Sequence, residues 1–293
     1  MRSALSQVPV WMSSSSAASR WRNRVLGVRK WIGNLLLKSP ASLRSLRDMP
    51  ILGYLIHRLS HWVLPINETV WASIEAGPAA GLRLELNPRT GQSYVRGEAE
   101  AQIQKVLAER LRPGMVFYDL GANIGLFTLL AARLVGAKGR VISFEPDGEV
   151  ASRLRRNIER NRFANVTVIE AGVWSKSGYV DFVPADSSSP DHGLGRFVEG
   201  TNGASGTPKR CLAMDDLIGS APPPDAIKCD VEGAEVEALR GAEKLLRAHC
   251  PWIICEMHSE SNEQASRELF TRFGYAVETL DCNHVLAVPK REL

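Results

Sequence analysis

Strand-like and helix-like runs alternate through most of the chain. "MVFYDL" is followed by "GLFTLLAARLVG", "RVISFEP" by "EVASRLRRNIERN" and then "VTVIEAGV"; later "AIKCDVEG" leads into "AEVEALRGAEKLLRA" and "PWIICEMH" into "EQASRELFTRFG". This alternation predicts an α/β domain built on a parallel sheet with right-handed crossovers. A chain of 293 residues that is 44% hydrophobic can bury a full core. The last stretch, "YAVETLDCNHVLAVP", reads as a hairpin turning near Asp281 and Asn283.

Ahead of the alternating region, "EAEAQIQKVLAERLRPG" places Ile103, Val106, Leu107 and Leu111 on one helical face, and Pro113-Gly114 ends that helix. Residues 74–96 read as strands, "LRLEL" and "SYVRG", joined by the turn "NPRTGQ". The rhythm breaks at residues 185–210, which read as a long Gly/Ser/Pro-rich loop flanked by strands "GYVDFV" and "RCLAM".

The net charge of +4 is unevenly spread: residues 1–72 hold ten Lys and Arg against Asp48 and Glu68, leaving the remainder acidic. Residues 1–20 are Ser-rich and lack acids, which fits a disordered leader or an organelle transit peptide. Over 20–38, Trp21, Val25, Val28, Ile32 and Leu35 recur at helical spacing among basic residues. Such a basic helix suits either peripheral contact with an anionic membrane or packing on its own domain. The most apolar run, 51–66, is interrupted by His57, Arg58 and His61 and is too short to span a bilayer. Five cysteines without a CxxC pair predict reduced thiols in a cytoplasmic setting, and the Asn-x-Thr triplets at Asn67 and Asn165 read as chance matches.

The turn "GANIG" follows the first strand of the alternating region. In open α/β sheets ligands bind where such strands hand over to their helices. Gly121 permits the tight turn, and Gly125 lets the helix start close to a ligand. The next strand ends in Glu145, 24 residues beyond Gly121, where a carboxylate can accept from both hydroxyls of a ribose. A dinucleotide turn places glycine where Asn123 stands, and Asp119 would repel a pyrophosphate. Asp119 suits the positive methionine end of S-adenosylmethionine instead.

"DLGANIGLFTLLAA", "GRVISFEPD", "IKCDVEGAEVEALRGAEKLL" and "PWIICEMH", in that order, resemble the FkbM-type methyltransferases. The resemblance runs from about Glu98 to the last helix. It implies a Rossmann-like, seven-stranded class I methyltransferase sheet, mostly parallel with a C-terminal antiparallel hairpin, and S-adenosylmethionine as cofactor. The expected organisation is a basic, partly disordered and then helical extension over 1–72 and a methyltransferase domain over 73–293, with strands and a helix at 73–114 and a cofactor-binding core at 115–293. Carried over by position, Asp119, Gly121, Ala122, Asn123 and Gly125 line the methionine end, and Glu145 with Pro146 the ribose end. "LAMDDL" resembles the family's Thr-Leu-Asp-Asp-Leu; Asp215 matches, but the threonine is replaced by Ala213.

Family members methylate hydroxyl oxygens of sugars, polyketides and lipid-linked compounds, so a small-molecule or glycan hydroxyl acceptor is implied. Removing the hydroxyl proton needs a general base. The candidates are Asp230, His258 and Glu232 at the ends of the fourth and fifth core strands, in that order, with Glu256 as an orienting group and His192 as a loop residue able to reach substrate. No metal site is expected, since no His/Cys cluster suits zinc and Asp230 with Glu232 makes a thin magnesium site. A nucleic-acid methyltransferase is the enzymatic alternative and a non-catalytic cofactor-binding interaction protein the other. "DVEG" stands where amino-methylating DNA enzymes carry Asp/Asn-Pro-Pro-Tyr/Phe, so no nucleic-acid partner is expected.

Overall fold

The computed structural model describes residues 27–28, 31–33, 69–183, 195–198 and 206–290. The leader, most of the basic helix, the run 51–66, Asn67, His192 and most of the 185–210 loop lie outside the described residues. The chain divides into two units, Met1–Ala72 with Leu86–Gln92, and Ser73–Glu85 with Ser93–Leu293. In the first, residues 27–28 and 31–33 are helical, with Val28 and Trp31 exposed.

In chain order, β1 (Val70–Ser73), β2 (Arg83–Leu86), α1 (Gln92–Val95) and α2 (Ala101–Arg110) precede the alternating region. There follow β3 (Val116–Leu120), α3 (Leu126–Val135), β4 (Arg140–Phe144), α4 (Gly148–Asn161) and β5 (Val166–Ile169). The short β6 (Gly172–Val173), β7 (Gly178–Val183), β8 (Arg196–Val198) and β9 (Thr207–Leu212) form a separate four-stranded sheet. The chain then runs through β10 (Ala226–Cys229), α5 (Glu235–Arg240), α6 (Glu243–His249), β11 (Trp252–Glu256), α7 (Glu260–Arg272), β12 (Tyr275–Thr279) and β13 (His284–Pro289).

The central sheet has seven strands in the order β12-β13-β11-β10-β3-β4-β5. Strands β5, β4, β3, β10 and β11 are mutually parallel, and β13 runs antiparallel between β11 and β12. The chain order reverses between β3 and β10, so the carboxyl ends of these two strands form the crevice where open α/β sheets bind ligands.

The two faces of the sheet differ. Alternation along the strands puts Tyr118, Leu120, Ile142, Phe144, Ile227, Cys229, Ile253 and Cys255 on one face, where they pack with Leu239, Leu245, Leu246, Leu269 and Phe270 of α5, α6 and α7. On the other face, register sets Lys228, Asp119 and Ser143 side by side across β10, β3 and β4. All three are buried. Thr128 of α3 covers this polar row, its hydroxyl donating to Asp119 Oδ2 at 2.5 Å and lying 2.8 Å from Ser143 Oγ.

Three local readings of the sequence are corrected. Ser93–Val95 of "SYVRG" belong to helix α1 and the rest to the turn after it, not to a strand, because Asn87 starts a turn, its Oδ1 accepting from Arg89 N at 2.9 Å and its carbonyl from Gly91 N at 2.8 Å, so the backbone enters the region already coiled. The 185–210 segment is not one loop: β8 lies within it, paired with β7, and β9 begins at Thr207. The strand read as "RCLAM" stops at Leu212, and Met214–Leu217 form a 3-10 turn.

The expected hairpin is present, with Asp281 Oδ1 accepting from the backbone N–H groups of Asn283 and His284. The cysteines are unpaired, three of them buried. Asn165 is buried, its amide donating to the carbonyls of Ala132 and Gly136 at the end of α3. Among the described residues no helix is long and apolar enough to cross a membrane.

Candidate active site

The cofactor turn is shaped by close approach to its neighbours. Gly121 has φ +77°, and a Cβ there would run into the carbonyl oxygen of Asp230. Gly125 has φ +96°, and a Cβ there would strike Leu154 of α4. Asn123 also adopts the left-handed conformation, at φ +48°, with its side-chain oxygen accepting from Ile124 N at 2.7 Å. Asn157 of α4, fully buried, donates to the Ile124 carbonyl at 2.7 Å and so ties the turn to the helix behind it.

Glu145 completes the turn. Its two oxygens accept from Asn123 N and Asp147 N, each at 2.9 Å. Burial drives its pKa upward, the two backbone donors pull it back, and the result is about 7. Asp147 in turn caps α4, accepting from the backbone of Glu149 and Val150.

A cleft of about 540 Å³, including its open mouth, lies over this corner. Gly121, Asn123, Glu145, Pro146, Asp147, Asp230, Val231 and Glu232 line it from the main sheet. Gly172, Val173, Phe182, Gly195 and Phe197 line it from the smaller one. Phe182 and Phe197 meet edge-on with ring centroids 5.3 Å apart, and Phe197 also packs on Trp174 at 5.8 Å. These rings give the cleft an apolar wall.

Six of the sequence-predicted residues, Gly121, Asn123, Glu145, Pro146, Asp230 and Glu232, thus share one cleft. Asp119, Ala122 and Gly125 lie beneath or behind it. Ala122 is buried, its N–H donating to the Phe144 carbonyl. Asp119 is 1% exposed; burial raises its pKa against the opposing pull of Lys228 and Thr128, and its Oδ1 has no hydrogen-bond partner.

Past β10 the acidic loop "DVEG" folds over a histidine. Asp230 Oδ2 lies 2.7 Å from Lys228 Nζ, and its Oδ1 lies 3.8 Å from His258 Nε2. Burial alone would raise the Asp230 pKa, but Lys228 and then His258 outweigh it and hold the carboxyl below its ordinary value. Lys228 is buried with its ammonium 4.8 Å from the Phe127 ring centroid; burial disfavours its charge, yet Asp230, Glu100 and Asp119 hold its pKa above the ordinary lysine value.

His258 is held at both nitrogens: Nε2 lies 3.2 Å from Glu232 Oε2 and Nδ1 lies 2.9 Å from Glu235 Oε1. Glu232 and Glu235, working against burial, raise its pKa to about 11, so the ring is an imidazolium at neutral pH. Glu235 also accepts from Val231 N at 3.3 Å and Gly233 N at 3.0 Å while fully buried, so this residue, not Glu232, fastens the turn at the helix start. Glu232 itself sits in a left-handed conformation at φ +51°.

Sequence reasoning missed Lys228, Glu235 and Asn157. The first two had visible signals, a charge in the middle of the apolar strand "AIKC" and a further carboxylate opening the helix after "DVEG". Asp215, matched to the family block, is structural, its carboxylate accepting from Lys244 N and Leu245 N and so capping α6.

The strand-end carboxylate Glu145 and the cleft it shares with Asp230 fit S-adenosylmethionine, whose ribose and sulfonium ends call for acceptors and negative charge. Comparison with known proteins agrees. The chain is 28% identical over 191 residues to hexuronic acid methyltransferase AglP of Haloferax volcanii, covering 64% of this chain and 74% of that one. It is 34% identical over 148 residues to 31-O-demethyl-FK506 methyltransferase FkbM of Streptomyces tacrolimicus, covering 49% and 52% respectively. Among solved structures it matches an FkbM methyltransferase of Methylobacillus flagellatus at 22% identity and TM-score 0.45, over 61% of this chain and 44% of that one. Residues 119–281 match the methyltransferase FkbM domain, more than half of the chain, and the protein belongs to that family of S-adenosylmethionine-dependent methyltransferases.

Proposed function

We propose that the protein is an O-methyltransferase that methylates a hydroxyl group of a small-molecule, sugar or glycan acceptor. The observation that carries the reading is Asp230, a carboxylate on the wall of the cofactor cleft that Lys228 keeps ionised. Two relatives support the acceptor class by name, one a hexuronic acid methyltransferase and the other a 31-O-demethyl-FK506 methyltransferase.

S-adenosylmethionine supplies an electrophilic methyl group on a sulfonium. The chain's part is to bind, to align and to move a proton. Glu145 accepts from the ribose hydroxyls, and the backbone around Gly121 and Asn123 shapes the methionine end. Asp230 would accept the proton of an acceptor hydroxyl as that oxygen is methylated, and would pass the proton on to solvent. His258, already cationic and held by Glu232 and Glu235, is poorly placed to take that proton and instead balances the charge of the acidic loop. Holding the reacting atoms in line is worth on the order of 7 to 11 kcal/mol, which makes positioning the larger share of the catalysis.

The test is transfer of a labelled methyl group from S-adenosylmethionine to a panel of sugars and uronic acids. The expected product is a methyl ether, with Asp230→Asn slowing turnover by about 10² to 10⁴ while leaving cofactor affinity within a few fold. Label recovered on nitrogen or carbon, or full turnover by Asp230→Asn, would overturn the reading.

A further inference from the structure

Beside the acidic loop, a second group of side chains converges from three separate elements: Glu100 at the start of α2, Glu256 at the end of β11 and His284 at the start of β13. Glu256 and His284 are register partners, so both side chains leave the same face of the sheet. His284 Nε2 lies 3.5 Å from Glu100 Oε2 and 3.7 Å from Glu256 Oε2. The ligand atoms of all three lie within 4.8 Å of one another.

Two of these atoms are buried without a hydrogen-bond partner, His284 Nε2 and Glu100 Oε2, and the His284 side chain is only 8% exposed. The other ring nitrogen is accounted for: Nδ1 lies 2.8 Å from Asp281 Oδ1, which is fixed in turn by the backbone N–H groups of Asn283 and His284. A carboxylate behind one imidazole nitrogen, with the second nitrogen turned toward two further carboxylates, is how proteins orient a metal-binding histidine.

From this arrangement we infer that Glu100, Glu256 and His284 form a binding site for a divalent first-row metal ion, with Asp281 orienting the histidine. One imidazole and two carboxylates are a mixed nitrogen and oxygen set of the kind such ions accept. Ligands of a six-coordinate ion with bonds of about 2.1 Å stand about 3 Å apart, so the closer two distances need to shorten by less than about 1 Å. Binding displaces the proton of His284 Nε2 to solvent and compensates both carboxylates.

The neighbouring group of Asp230, Glu256 and His258 is a weaker candidate, since Lys228 already pairs with Asp230 and both nitrogens of His258 are engaged by carboxylates outside the group, Glu232 and Glu235. Glu256 belongs to both groups, which places the ion next to Asp230.

The experiment is titration of Mn²⁺ into the full-length, chelator-treated protein, following free Mn²⁺ by electron paramagnetic resonance, with calorimetry of S-adenosylmethionine on the same samples. The site predicts one saturable ion per chain. Glu100→Gln and His284→Ala should each weaken it at least about tenfold with cofactor binding retained, and Asp281→Asn by about 10-fold to 100-fold. No saturable binding by the wild type, or an affinity unchanged in Glu100→Gln and His284→Ala, overturns it. Should those two variants fail to fold, as judged by lost cofactor binding, an unchanged affinity in Asp281→Asn does the same. Mn²⁺ binding without cofactor binding would contradict the functional reading and leave the metal site standing.

Discussion

Lys228 Nζ lies 2.7 Å from Asp230 Oδ2, with 3% of the lysine side chain and 19% of the aspartate side chain exposed, so the proposed base on the wall of the cofactor cleft is paired with a buried counter-charge. Removing one partner of such a pair leaves an uncompensated buried charge, a loss of about 3–5 kcal/mol. Lys228→Met should therefore lower the melting temperature. It should also move the acidic limb of the pH–rate profile upward, because the lysine holds the Asp230 pKa down. A profile that keeps its acidic limb would separate Lys228 from the chemistry.

Glu145 gives the cofactor site its own pH dependence. Its pKa in the folded protein is about 7, above the ordinary carboxylate value, so between these two values the folded state holds a proton that the unfolded state has lost. Stability from this group is therefore highest below the unfolded pKa and falls as pH rises toward 7. Cofactor affinity runs the other way, since the ionised carboxylate is the better acceptor for ribose hydroxyls. Calorimetry should find S-adenosylmethionine binding weakening from pH 8 to pH 6, and Glu145→Gln should flatten that dependence.

Two glycines of the cofactor turn separate strain from obstruction. At Gly125 the obstacle is the end of a side chain, Leu154 Cδ1, whereas at Gly121 it is the backbone oxygen of Asp230. Measured against Leu154→Ala alone, Gly125→Ala should cost only about 1–2 kcal/mol for the left-handed conformation, less than it costs in the wild-type background. Gly121→Ala has no side chain to trim and should abolish cofactor binding in any background. Urea denaturation of the four variants, with cofactor calorimetry on each, checks both statements.

In the first unit, Trp31 is 65% exposed and Val28 56% exposed, each within a described helical stretch. If the basic segment 20–38 docks on anionic membranes, the protein should sediment with phosphatidylserine vesicles at low salt and lose this when residues 1–40 are removed. Equal sedimentation with and without those residues would refute a membrane role.

The fold was legible because its signal is local. Each strand, turn and helix of the alternating region carries its own apolar pattern, and a glycine turn with an acidic strand end 24 residues later marks the crevice. What escaped depends on register and on approach through space. The row Lys228, Asp119 and Ser143 exists only because three strands align, and no spacing in the sequence brings Glu100 to His284. Loop 185–210 hid β8, whose three residues are too few to show a period; pairing with β7 makes the strand.

The central claim is that the corner formed by Gly121, Asn123 and Glu145 holds S-adenosylmethionine. Calorimetric titration of the cofactor into wild-type protein and into Glu145→Ala tests it most directly. The account predicts micromolar binding by the wild type and at least a tenfold loss, about 1.4 kcal/mol, in the variant. Absence of binding to folded wild-type protein, or equal affinity in the two, would contradict it.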